Sequence, residues 1–117
     1  MALAPVTPYA ENFDGCQPFS NTSVNILLAA STDLSWTVPG TATQLYRARF
    51  SISTSADAFV CNGATAQVPV SNTVTSTPNQ QRIDDGLCLY VKGGDVLHFI
   101  STTTPQVGVS LLLVQNS

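Results

Sequence analysis

Charge is what this 117-residue chain has least of: 9% of its residues are charged, against about 25% in a typical soluble domain. Only Arg47, Arg49, Arg82 and Lys92 are basic, and the net charge is −3. A nucleic-acid binder needs several clustered cations to displace phosphate counterions, and a polybasic membrane anchor needs a run of them. Four scattered cations supply neither, so no nucleic acid and no membrane are expected as partners. Histidine is nearly absent too. His98 stands alone, and the G-x-S-x-G elbow of a serine hydrolase is missing, which leaves a Ser-His-Asp triad without a signature. Cys16, Cys61 and Cys88 make an odd number with no C-x-x-C pair, so neither a disulfide framework nor a zinc site is indicated. Reduced thiols are expected, with Cys88 buried inside a strand. No apolar run reaches the roughly 18 residues of a membrane helix, and no segment keeps helical periodicity over three turns. Met1 to Pro8 has no cationic start and no long apolar stretch, which predicts no secretory signal. The sequon Asn21-Thr22-Ser23 therefore reads as accidental.

What the chain has instead is hydroxyl. Ser and Thr number 26, beside an ordinary 44% of apolar residues. A surface of hydroxyls and amides stays wet, and it costs less to desolvate than a charged one. The length suits one domain with its own core.

Turn signals and apolar alternation divide the chain. Residues 1–21 hold Pro5, Pro8 and Pro18, with Tyr9, Phe13 and Phe19 between them. Prolines this frequent block helix and central strand, so this segment reads as an extended arm whose aromatics dock on the domain or on a neighbour. Residues 22–117 read as a single β domain. Val24 to Ala30 is strand-like, and Leu34, Trp36 and Val38 alternate with polar residues, which turns Trp36 toward the core. In Gln44 to Ser55, Tyr46, Ala48, Phe50 and Ile52 share one face and Leu45, Arg47, Arg49 and Ser51 the other. Ala58 to Cys61 ends at Asn62-Gly63, a turn signal. Gln67 to Ser71 contains Pro69 and reads as an edge strand or bulge. Asn72 to Gln81 reads as a polar loop, and Ile83 is a lone apolar residue before Asp84-Asp85-Gly86.

Three strands close the chain. Leu87 to Val91 alternates, Val96 to Ser101 is apolar on both faces, and Val107 to Val114 passes from alternation into a continuous apolar run. Alternation marks one buried face and continuous apolarity marks two. About eight strands, with turns every eight to twelve residues, indicate an antiparallel sandwich or barrel.

Candidate chemistry is sparse. Asp84, Asp85 and Asp95 match no calcium loop and read as turn residues. Pairs drawn from Glu11, Asp33 and Asp57 have no glycosidase specificity. His98 reads as a structural or interface residue that can act as a pH-sensitive contact. Arg47 and Arg49 carry half the positive charge on one strand face, and a partner carboxylate can take a bidentate bond from either. With Tyr9, Phe13 and Phe19 they form the candidate partner-binding set. No catalytic and no metal-ligating residues are assigned.

The stretch from Leu87 through Lys92-Gly93-Gly94-Asp95 to Phe99, followed by Val109 to Val114, resembles the closing strands of compact jelly rolls: a strand, a Lys-Gly-Asp corner and a terminal apolar strand. Trimers of the tumour-necrosis-factor type show this pattern. Short decoration, or cement, proteins of tailed-phage heads are similar and fit better in length, low charge, free cysteines and an arm before the first strand. The resemblance implies an all-β fold, an antiparallel jelly-roll-like β-sandwich of about eight strands. It implies a virion protein, made in the host cytoplasm, that binds the major capsid protein across capsomer junctions as a homo-oligomer, a trimer by preference, with no cofactor. A receptor- or glycan-binding domain of a tail or fibre is the rival from the same broad class. A small hydrolase, which would need an acid-base pair in a cleft, is the rival from another.

Overall fold

The computed structural model describes residues 19–20, 22–53, 57–73 and 77–116. Among them there is no helix. Eight strands follow in order: β1 (Thr22–Leu27), β2 (Leu34–Thr37), β3 (Gln44–Ile52), β4 (Ala58–Asn62), β5 (Gln81–Arg82), β6 (Cys88–Lys92), β7 (Val96–Ser101) and β8 (Gln106–Asn116).

The strands form two four-stranded antiparallel sheets, ordered β1-β8-β3-β6 and β2-β7-β4-β5. The pairs β1·β8, β2·β7, β3·β6 and β4·β5 are nested, first strand with last and so inward. The pairs β3·β8 and β4·β7 then close each sheet. One long antiparallel hairpin rolled over on itself gives this pattern, and it is the jelly roll.

Period two builds the core. Tyr46, Ala48 and Phe50 of β3, and Val107, Val109 and Leu111 of β8, point inward from one sheet; Ala58, Val60, Leu97 and Phe99 meet them from the other. Phe50 and Phe99 join the layers with ring centroids 6.4 Å apart and planes tilted by 56°, within the range aromatic pairs prefer. Trp36 is half-buried against this cluster, and Ile83 is buried in it. Among the described residues Ser101 is the buried polar one, and its hydroxyl donates to the Asp57 carbonyl at 2.7 Å.

The corner between β6 and β7 shows why its residues are Gly-Gly-Asp. Gly94 has φ +90°, which side chains other than glycine's resist. A Cβ on Gly93 would collide with the backbone of Thr41 and Gly40. The Asp95 carboxylate accepts the Lys92 N–H at 2.8 Å and the Asn62 amide at 3.0 Å.

Two readings of the sequence need correction. Gln67 to Ser71 is not a strand; the fifth strand is Gln81–Arg82. Pro69 has no N–H to give a ladder. The Gln80 side chain instead takes both backbone groups of Gln67, at 3.0 and 2.7 Å. Cys88 is exposed, not buried. It lies in a strand, but β6 is a sheet edge and residue 88 has the opposite parity to Leu87, Leu89 and Val91, which face the core.

Candidate interaction face

The two sheets treat their outer faces differently. On β2-β7-β4-β5 the outward residues Phe59, Cys61 and Ile100 lie under Ala64, Ala66 and Val68, a second small apolar cluster. The apolar character of both faces of β7 has this cause. Asp33 fastens the covering loop: one of its oxygens accepts the Ala66 N–H at 2.8 Å, and its carboxylate faces His98 Nδ1 at 2.9 Å. Thr77 donates to the Thr65 carbonyl from the far side of the loop.

Asp33, His98 and Cys61 together mimic a catalytic triad, since Cys61 is the register partner of His98. The thiol argues against nucleophilic chemistry. It donates to the Ala64 carbonyl at 2.8 Å and is buried. Burial pushes its pKa up, the Asp33 charge pushes the same way, and the Ala64 bond opposes them. A reactive cysteine needs the opposite shift. The group acts as a fastening for the loop.

The outer face of β1-β8-β3-β6 is built of other residues. Arg47 lies between Leu112 of β8 and Tyr90 of β6, and Arg49 lies between Ser110 and Cys88. The first row runs from buried Leu112 through half-buried Arg47 to Tyr90 at 64% exposure. Lys92 stands opposite Leu45 on the same side. Three of the chain's four cations therefore share one sheet face. The fourth, Arg82, is on the other sheet and pairs with Asp57 at 2.5 Å. Ser23 and Asn25 of β1 and Ser51 of β3 add hydroxyls and an amide.

Of the five partner-binding candidates, the fold brings Arg47 and Arg49 together on this face. Phe19 is 97% exposed and borders a cleft of about 750 Å³ with Arg49, Ile52, Asp85 and Ser110. Asp85 faces that cleft with one oxygen accepting the Ile52 N–H at 2.8 Å. Tyr9 and Phe13 lie outside the described residues. Sequence reasoning missed Tyr90 and Lys92, although their parity, opposite to Leu89 and Val91, already turns them outward. Among the described residues no cluster of three His, Cys, Asp or Glu side chains could hold a metal ion.

A second, smaller cleft of about 270 Å³ opens between the sheets beside the two-residue β5. Its floor is Phe50, Val60, Leu89 and Leu97, and its rim includes Asn62, Asn79, Gln81 and Tyr90. Asn79 bonds both the N–H and the carbonyl of Asn62, so its amide is already engaged.

No protein-family model, curated protein or solved structure matches this chain.

Proposed function

We propose that the protein is a structural component of a tailed-phage virion, which decorates the capsid and stabilises it by binding the major capsid protein across capsomer junctions. The observation that carries this reading is the asymmetry of the sheets. The chain covers the outer face of β2-β7-β4-β5 with its own loop, while the face of β1-β8-β3-β6 keeps an exposed tyrosine and three cations among hydroxyls. A ligand that binds only the assembled shell shifts the equilibrium toward it. A homotrimer multiplies the buried area, and each stable interface requires about 1,200–2,000 Å² in total.

The test is removal and return. Particles stripped of the protein should lose resistance to heat or osmotic shock, and adding it back should restore them. Arg47→Ala with Arg49→Ala should weaken that rescue while circular dichroism stays β-type. Shells equally stable without the protein would sink the reading.

The alternative is a receptor- or glycan-binding domain of a tail or fibre. The observation in its favour is the smaller cleft, with an apolar floor and a rim of Tyr90 and amides. Labelled protein found only at the tail tip would promote it.

A further inference from the structure

We propose that the open edge of β6 pairs with the β6 of a second copy of this chain, antiparallel across a two-fold axis centred on Leu89. This contact lies outside the decoration reading: it links copies in pairs whether or not another surface gathers them in threes. β6 ends its sheet. In an antiparallel ladder the N–H and C=O of alternate residues turn toward one neighbour, and those between them turn away. Phe50 donates to the Leu87 carbonyl, and Gly93 donates to the Gln44 carbonyl, at the two ends of the β3·β6 ladder. The odd residues of β6 therefore bond to β3. The even ones, Cys88, Tyr90 and Lys92, turn their backbone groups to the open side. The β6–β7 corner takes those of Lys92: the Asp95 carboxylate accepts its N–H at 2.8 Å, and the Asp95 N–H donates to its carbonyl at 3.1 Å. The N–H and C=O groups of Cys88 and Tyr90 remain, and no described residue bonds them.

Such an edge is a template for another strand, and this one is its own complement. With the axis at Leu89, Cys88 of each copy faces Tyr90 of the other, and every open group on both strands is bonded. An axis at Tyr90 would instead set Cys88 against Lys92, whose groups Asp95 already holds. The Leu89 register also matches charge. Lys92 comes opposite Gly86 of the second copy, beside its Asp84-Asp85 turn, where the Asp84 side chain is well exposed. The axis repeats that contact, and interfaces pair opposite potentials. Leu89 lies on the inner side of its sheet, where the smaller cleft opens along β6 over Phe50, Val60 and Leu97. The Leu89 of the second copy stands beside it and covers that apolar floor. An extended segment of another protein can bond the same backbone groups; the match of Lys92 to the acidic turn favours the second copy.

The test is sedimentation of the full-length protein in reducing buffer, from micromolar to millimolar concentration, with amide exchange followed by NMR. The mass should double as concentration rises, and the Cys88 and Tyr90 amides should slow their exchange in step. Lys92→Glu should weaken the pairing about tenfold. Tyr90→Cys sets a thiol opposite Cys88 of the second copy, with Cα atoms about 5.5 Å apart, within disulfide reach. Mild oxidation should then bridge position 88 of one chain to position 90 of the other, as peptide mapping would report. Adding Cys88→Ser leaves only the diagonal pair of positions 90, about 7–8 Å apart, and should abolish the bridge. A constant mass overturns the proposal. Amides already slow in dilute protein overturn it too, because another part of the chain then covers the edge. Doubling without the bridge, or with a bridge between other positions, places the contact elsewhere and overturns it as well. The particle assay reads decoration and sedimentation reads only the pairing, so the two can fail separately.

Discussion

Asp33 and His98 stand 65 positions apart in the chain and meet at 2.9 Å on the outer face of β2-β7-β4-β5. The same carboxylate holds the Ala66 N–H, so one acid joins the β1–β2 connection, strand β7 and the covering loop. Asp33→Ala leaves two donors without an acceptor. It should cost about 1–3 kcal/mol in urea denaturation and speed hydrogen exchange at residues 64–68. Unchanged exchange there would show that the loop is held by other contacts.

Phe50 and Phe99 bridge the two layers, and both are fully buried. Either one changed to Ala should destabilise the fold by about 3–5 kcal/mol. A double-mutant cycle with Leu at each position should return a coupling of about 0.5–1.5 kcal/mol for the aromatic pair. Strict additivity would mean that the rings contribute only by the area they bury.

The thiols separate by exposure and by pH. Cys88 is exposed and Cys61 buried, so iodoacetamide should label Cys88 readily and Cys61 only on unfolding, as peptide mapping would report. Burial raises the Cys61 pKa in the folded state, so the folded thiol keeps its proton after the unfolded one has lost it. Its contribution to stability is whole below the ordinary thiol range, about 8.5, and drains away as pH rises through and beyond it. Urea midpoints between pH 7.5 and 10 should therefore fall more steeply for the wild type than for Cys61→Ala. Parallel curves would remove Cys61 as the cause.

The two glycines of the β6–β7 corner should respond unequally. Gly94 has open space around it and only its positive φ to satisfy, so Gly94→Ala should cost about 1–2 kcal/mol and Gly94→Asn less. Gly93→Ala meets the Thr41 backbone and should cost more than Gly94→Ala by thermal unfolding. Equal losses would argue that the neighbouring Thr41 turn gives way.

The sequence made the inner layer of this fold plain because alternation is local. Parity alone orients Tyr46, Ala48 and Phe50, whereas the apolar run at the end of β8 is buried on both faces only at Leu111 and Leu112, with residues 113 and 114 partly buried. The fifth strand was not legible. Two residues are too short for any period, and what displaced the expected one was the Gln80 side chain, thirteen residues from Gln67. Parity places Cys88 on the outer face, and strand membership by itself does not bury a residue. The clustering of Lys92 and Tyr90 with Arg47 and Arg49 required the β3·β6 register. The Asp33–His98 pair had no local signal at all.

The nesting of the strands has a consequence for how the chain is made. Among the described residues β1 pairs with β8 alone, and the Asn25–Gln106 side-chain bond between them spans 81 positions. At about 5–20 residues per second on a ribosome, β1 waits for seconds with Ile26 and Leu28 uncovered. Chains dominated by such distant pairings then take about milliseconds to seconds to fold. A message cut short before β8 removes the neighbour of β1 and of β3 at one stroke. Its product should be read by circular dichroism as unfolded rather than as a smaller sandwich, since the β1-β8-β3 half of one sheet is gone.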